Sequence, residues 1–376
     1  MPKKTKKKTK QKDEIQYYSL NKILEVEAHY NVIIGERSNG KTYGTLLHAI
    51  DEYFNGNGGE LAIIRRWQED IRGNRARDIF TAILQDGHIA RLSDGKYEGL
   101  YYYASKFYFC NYDDDGKALY NQDDIFCHLF ALSDTEHNKS ISFPNVKTIV
   151  FDEFMTRGAY LPNEFVLFMN TLSTIVRQRK DVTIFMLGNT VNKFSPYFKE
   201  MGLKNVAEMK QGSIEVYTYG ESDLRVAVEY CASVGESQKQ SNVYFAFDNP
   251  RLQMITTGAW ELDLYPHLPV KYTPKDIQLI YFIKFDDNIY QCEIIQKDGE
   301  MFTYIHDKTS PIKNENDDIV YSLEYSHKLN YSRNIFKPTH KAGKAIAWFF
   351  KADKVFYQDN SVGDAINNYL NACKNI

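Results

Sequence analysis

The chain has 376 residues, 43% of them apolar, which is enough for two domains with cores of their own. A net charge of −3 excludes nucleic-acid binding over the whole surface and leaves only a local basic patch for it. Five scattered cysteines without a C-x-x-C pair suggest neither a zinc site nor a disulfide framework, and no apolar run is long enough to suggest a membrane partner.

Residues 1–14 read as a basic, disordered tail. The first twelve hold seven lysines and no acid, leaving about −10 on the rest of the chain. Two readings stand for this tail: a solvated extension, or a contact to nucleic acid. No apolar segment follows the lysines, so no secretory signal is expected and an intracellular, reduced protein is the simplest reading.

Residues 15–204 read as one α/β domain. Asn31 to Gly35 is a buried strand, and Lys41 to Phe54 a helix stopped by Gly56, Gly58 and Gly59. Leu61 to Arg66 reads as a second strand and Glu69 to Leu84 as a second helix. Residues 97–132, rich in Tyr and Phe with a D-D-D-G turn, read as a β-hairpin or meander. Val146 to Phe151 is a further strand, Pro162 opens a helix to about Gln178, and Val182 to Leu187 is one more strand. Strand and helix in alternation predict a mainly parallel sheet covered on both faces. Residues 205–250 are polar and mixed and read as a linker region. Residues 251–376 read as a smaller α/β domain, with strands at Gln278–Phe285, Tyr290–Gln296 and Glu300–His306 and helices at 341–352 and 362–373.

Gly35, Gly40, Lys41 and Thr42 fit G-x-x-x-x-G-K-[ST] without a mismatch. Glycine permits a loop that points its N–H groups at a phosphate, and the helix that follows aims its positive end at the anion. Gly35, Glu36, Arg37, Ser38, Asn39, Gly40, Lys41 and Thr42 are therefore the expected ATP-binding loop. Lys41 would reach the β- and γ-phosphates and the Thr42 hydroxyl Mg²⁺. T-I-V-F-D-E-F ends a strand in two acids. Asp152 is the expected Mg²⁺ partner and Glu153 the group that activates water, a pairing that suits hydrolysis rather than a small-molecule kinase. Asn189, in L-G-N-T at the end of the next strand, is either a phosphate sensor with Thr190 behind it or a turn former. R-Q-R-K at 177–180 either caps its helix or supplies, through Arg177, an arginine finger to a neighbouring subunit.

Together these motifs carry a family resemblance. N-V-I-I-G-E-R-S-N-G-K-T, I-I-R-R-W, N-V-K-T-I-V-F-D-E-F, Y-L-P-N-E, V-R-Q-R and G-N-T-V-N-K-F-S-P-Y-F, in this order and spacing over roughly residues 15–200, resemble the genome-packaging motor ATPases of small protein-primed podophages. These are large-terminase-like P-loop ATPases with an additional catalytic glutamate. The resemblance implies ATP-driven translocation of double-stranded viral DNA into a preformed capsid. It implies a homo-oligomeric ring, a pentamer, docked on the portal of the prohead in the host cytoplasm, with a structural packaging RNA as a further partner. It maps the catalytic roles onto Lys41, Asp152, Glu153 and Arg177, and loosely onto Lys139 as a second trans-acting cation. The C-terminal domain is then expected to resemble an RNase H-like nuclease that has lost its metal site. Asp286, Asp287 and Asp307 are its nearest candidates for metal ligands and also read as ordinary turn acids. Rival readings are a cellular or plasmid DNA translocase or helicase of the same division, and a nucleotide-dependent portal-assembly factor.

Overall fold

A computed structural model describes residues 18–56, 58–134, 141–156, 160–190, 195–232, 265–268 and 270–374. The basic tail and Lys139 lie outside the described residues. The described residues form two sheets, of nine and six strands.

The first sheet is built from β1 (Tyr30–Gly35), β2 (Glu60–Arg65), β3 (Gly99–Tyr103), β4 (Lys106–Tyr112), β5 (Ala118–Ala131), β6 (Val146–Asp152), β7 (Thr183–Asn189), β8 (Ser213–Thr218) and β9 (Arg225–Tyr230). Their order is β3-β4-β5-β2-β6-β7-β1-β9-β8. The middle of the sheet, from β5 to β9, is parallel throughout. The flanks are antiparallel: the β3–β4–β5 meander on one side and the β9–β8 hairpin on the other.

The central strands are near-continuous apolar runs because both of their faces are covered. Side chains alternate between two cores. Val32, Ile34, Ile149 and Phe151 share one with Phe168, Leu172 and Ile175 of helix α2 (Glu164–Val176). Ile33, Leu61, Ile63 and Val150 share the other with Leu46, Ala49 and Ile50 of helix α1 (Lys41–Asn55).

Three local expectations change. The segment read as one helix from Glu69 to Leu84 is broken into short 3-10 and α-helical pieces: Gln68–Ile71, Gly73–Arg77, Asp78–Phe80 and Thr81–Gln85. Arg72 is extended and Gly73 left-handed, at φ +59°, so the backbone cannot carry a helix through them. Pro162 does not open α2; the helix starts at Glu164, after Asn163 at φ +54°. The largest change concerns 205–250, read as a linker. Its residues 213–218 and 225–230 are strands, and β9 pairs directly with β1. Arg225–Tyr230 is buried almost throughout because it lies inside the sheet. A six-residue run so short is easily lost in polar surroundings.

The second sheet has the order β14-β13-β10-β11-β12-β15. An antiparallel meander of β10 (Ile277–Phe285), β11 (Asn288–Lys297) and β12 (Glu300–Asp307) forms its middle. Parallel strands β13 (Ile319–Ser322), β14 (Tyr331–Ser332) and β15 (Val355–Tyr357) flank it. Helices α3 (Lys341–Lys351) and α4 (Asn360–Cys373) cover one core, through Ile346, Phe349, Val362, Ile366 and Tyr369. Among the described residues no helix is long and apolar enough to cross a membrane.

Candidate nucleotide-binding and hydrolysis site

The register of the parallel strands gathers the motif residues at one edge. Gly35 stands beside Asn189, and Asp152 beside Leu187, so β1, β6 and β7 all end together. Between β1 and α1 the chain turns through Ser38 at φ +59° and Gly40 at φ +93°. A side chain at Gly40 would be strained there, which is the physical reason for that glycine. Thr190 N donates to Gly35 O (3.1 Å) and ties the start of the loop to the end of β7.

Lys41 is buried with its ammonium turned into the loop. Nζ donates to Glu36 O (2.7 Å) and Asn39 Oδ1 (3.1 Å), with Asn189 Oδ1 at 3.4 Å. Burial pushes its pKa below the usual lysine range, so an anion beside it would be strongly favoured. The Thr42 hydroxyl donates to Asp152 Oδ1 (3.1 Å). A hydroxyl and a buried carboxylate at the foot of a phosphate-type loop are hard oxygen donors, which fit Mg²⁺. Arg37 and Ser38 sit exposed at the loop tip.

Glu153 follows Asp152 with φ +59°, and its side chain is 64% exposed. Two carboxylates thus leave one strand end differently: Asp152 inward against Thr42, Glu153 outward to solvent. Arg65, the last residue of β2, bridges both, at 2.6 Å from Asp152 and 3.0 Å from Glu153.

Gly188 lets β7 pass this turn. A Cβ there would lie 2.8 Å from the Phe154 ring and 3.0 Å from Met155. The G of L-G-N-T is therefore a packing requirement that sets Asn189 beside the loop.

Arg177 is not brought to this edge. Arg177 sits past the far end of α2, exposed, with one bond to Ile141 O (3.2 Å). Thirteen helical residues separate the two ends by about 20 Å. Arg179 differs: its guanidinium is committed to the carbonyls of Phe143, Pro144, Val146 and Ile175. Asp286 and Asp287 occupy the β10–β11 turn, both left-handed, and Asp286 pairs with Lys199 (3.1 Å). Asp307 closes β12 at another point of that sheet.

Sequence reading missed Arg65, Arg66 and Glu164 as members of the site. The signal was present: two adjacent arginines ending a strand, and the glutamate of Y-L-P-N-E.

The podovirus DNA encapsidation protein (Gp16) family model matches residues 98–241, which include the Asp152–Glu153 strand end. Over that stretch the chain is similar to this family. The DNA packaging proteins of Bacillus phages phi29 and B103 are 28% and 26% identical to it over 189 and 186 residues. The chain matches these curated relatives over about half of their length. Among solved structures, the phi28 gp11 DNA packaging motor aligns over 96% of this chain and 98% of its own, at 19% identity and a TM-score of 0.55. The phi29 viral genome packaging motor assembly aligns over 94% and 97%, at 20% identity and a TM-score of 0.53. The two likenesses cover both sheets and speak for the fold.

Proposed function

We propose that this chain hydrolyses ATP to drive double-stranded viral DNA into a preformed capsid, as one subunit of a ring docked on the portal of the prohead in the host cytoplasm. One observation carries the reading. Lys41, Thr42, Asp152 and Asn189 converge on one edge of a parallel sheet, with the Glu153 carboxylate facing solvent beside them, bridged to Arg65. That set binds a nucleoside triphosphate and also holds a base for water, which a pure binding protein does not need.

In this reading Lys41 leaves Glu36 O and Asn39 Oδ1 for the β- and γ-phosphate oxygens. Thr42 and Asp152 hold Mg²⁺, which neutralises charge on the phosphates when bound. Glu153 polarises the attacking water, and Asn189, beside Lys41, reports the presence of the γ-phosphate. Arg177 serves the neighbouring subunit. The ring is a pentamer, and a structural packaging RNA joins it at the portal. The second domain holds these partners rather than cutting DNA.

Lys41→Ala is expected to weaken ATP binding by about 10- to 100-fold, since it removes a charged, desolvated donor. Equilibrium titration with a fluorescent nucleotide measures this. Wild-type affinity in the variant would place the nucleotide elsewhere.

The functional reading is tested by steady-state ATPase assays with duplex DNA, single-stranded DNA and isolated portal. Duplex DNA and portal are expected to stimulate turnover. Stimulation by single strands alone would favour a helicase, and no turnover under any condition would favour an assembly factor. Duplex affinity is expected to be independent of sequence and to fall steeply with salt, with a log–log slope of about −0.9 per phosphate neutralised. A footprint with one preferred site would count against a motor that must grip every part of a genome.

A further inference from the structure

Directly behind the strand end that carries Asp152 and Glu153 lies a buried ion pair that the proposed chemistry does not use. Arg66 and Glu164 have side chains 7% and 1% exposed. They meet fork to fork: Nε to Oε2 at 2.8 Å and Nη2 to Oε1 at 2.9 Å. The same guanidinium donates to two consecutive carbonyls of the turn after β6, Glu153 O (3.2 Å) and Phe154 O (2.7 Å). Its plane lies 5.1 Å from the centre of the Tyr160 ring. The carboxylate is equally engaged. Oε2 also accepts from Leu161 N (2.7 Å), and Oε1 from the Tyr197 hydroxyl (2.7 Å). Burial and the neighbouring Glu164 push the Tyr197 phenol up, so it remains a donor.

Stability alone explains this cluster poorly. A buried ion pair loses hydration to about the extent that it gains attraction, and apolar residues of the same size are often as stable. What the pair adds is geometry. Glu153 is held at φ +59°, a backbone angle that a glutamate seldom adopts, and strain of this kind persists only where the surroundings over-determine it. Arg66 grips the carbonyl of that residue and the next one. Glu164 is the first residue of α2, the helix after which Arg177 follows.

We propose that Arg66 and Glu164 are positioning residues for hydrolysis. Together they hold the Glu153–Phe154 backbone in the one conformation that sends the Glu153 carboxylate outward. They also fasten the start of α2 to that turn, so that the turn and Arg177 move as one body. This rests on the functional reading above, since it assumes that Glu153 activates water. Lysine cannot replace Arg66. An ammonium keeps the charge but cannot reach a carboxylate and two carbonyls in fixed directions.

The test compares Arg66→Lys, Glu164→Gln and Tyr197→Phe with the wild type, measuring kcat, KM, fluorescent-nucleotide affinity and thermal midpoint. Arg66→Lys and Glu164→Gln are expected to bind nucleotide within about threefold of wild type while kcat falls about 10- to 100-fold, as for a catalytic group misplaced by a fraction of an ångström. The double variant is expected to be no slower than the slower single one, because both changes break one unit. Tyr197→Phe keeps the ion pair and the shape, and is expected to lower kcat about threefold with affinity unchanged. Wild-type kcat in a folded Arg66→Lys protein would overturn the proposal. So would a loss of kcat that merely follows the loss of folded protein and of nucleotide affinity. Should Arg66→Lys not fold, Tyr197→Phe decides, and full turnover there refutes a positioning role. A wild-type protein without ATPase activity would instead sink the functional reading itself, which separates the two failures.

Discussion

Glu153→Gln is expected to bind ATP as tightly as the wild type and to turn it over at least about 100-fold more slowly. The geometry separates the two properties. Lys41 and Asp152 are buried at the foot of the loop, Lys41 held by Glu36 O and Asp152 accepting from the Thr42 hydroxyl. The Glu153 side chain points out of the same strand end and is 64% exposed, bridged to Arg65 at 3.0 Å. Glutamine keeps the size and one acceptor for Arg65 but cannot take a proton from water. Asp152→Asn makes the contrast, because it changes the carboxylate that meets Thr42 and should lose both Mg²⁺-dependent binding and turnover. Single-turnover hydrolysis beside nucleotide titration reads both. If Glu153→Gln hydrolyses at the wild-type rate, the water-activating group is another residue.

Arg177→Ala is expected to leave nucleotide affinity unchanged and to lower turnover by about 10³-fold or more, the usual scale for a finger arginine. Arg177 lies at the opposite end of α2 from Glu164 and Glu153, about 20 Å along the helix axis. A cation there has no access to its own loop. It is exposed and holds one backbone carbonyl, whereas Arg179 is used up on four. In the proposed ring, a neighbouring subunit would bring its nucleotide to Arg177. Mixed with Glu153→Gln subunits, the Arg177→Ala protein should therefore regain part of the activity, since some interfaces pair an intact glutamate with an intact arginine. Dilute, strictly monomeric protein at full turnover would argue that Arg177 only ends its helix. So would a mixture that recovers nothing.

Four parallel strands of the first sheet, β1, β2, β6 and β7, were legible in the sequence because each is an apolar run of a length that strands have. So was the phosphate-type loop, since two glycines and a Lys-Thr pair are needed within eight residues for local reasons. The meander at 97–132 was equally legible from alternation and its turn. Where the reading failed, local pattern was a poor guide to what the tertiary structure does. Residues 69–84 have helical composition, but their extended Arg72 and left-handed Gly73 serve the turns between β2 and β3. β9 looked like linker because a six-residue strand is identified by its neighbour, and that neighbour, β1, lies some two hundred residues away.

The site divides along the same line. Gly35 to Thr42 is one continuous stretch, so its identity is local and the amino-acid sequence by itself determined it. Asp152, Glu153 and Asn189 could be named from the sequence because strand ends carry recognisable polar residues. That Asp152 meets Thr42 and Asn189 meets Lys41 was decided only by the parallel register of β1, β6 and β7. Arg65, Arg66 and Glu164 stand in recognisable motifs, I-I-R-R-W and Y-L-P-N-E, but nothing local gives them a place in this site. An arginine ending a strand and a glutamate opening a helix are ordinary residues until the fold buries them against each other. What assigns them to this site is a set of directed hydrogen bonds between elements far apart in the chain, and such bonds exist only once the chain has folded.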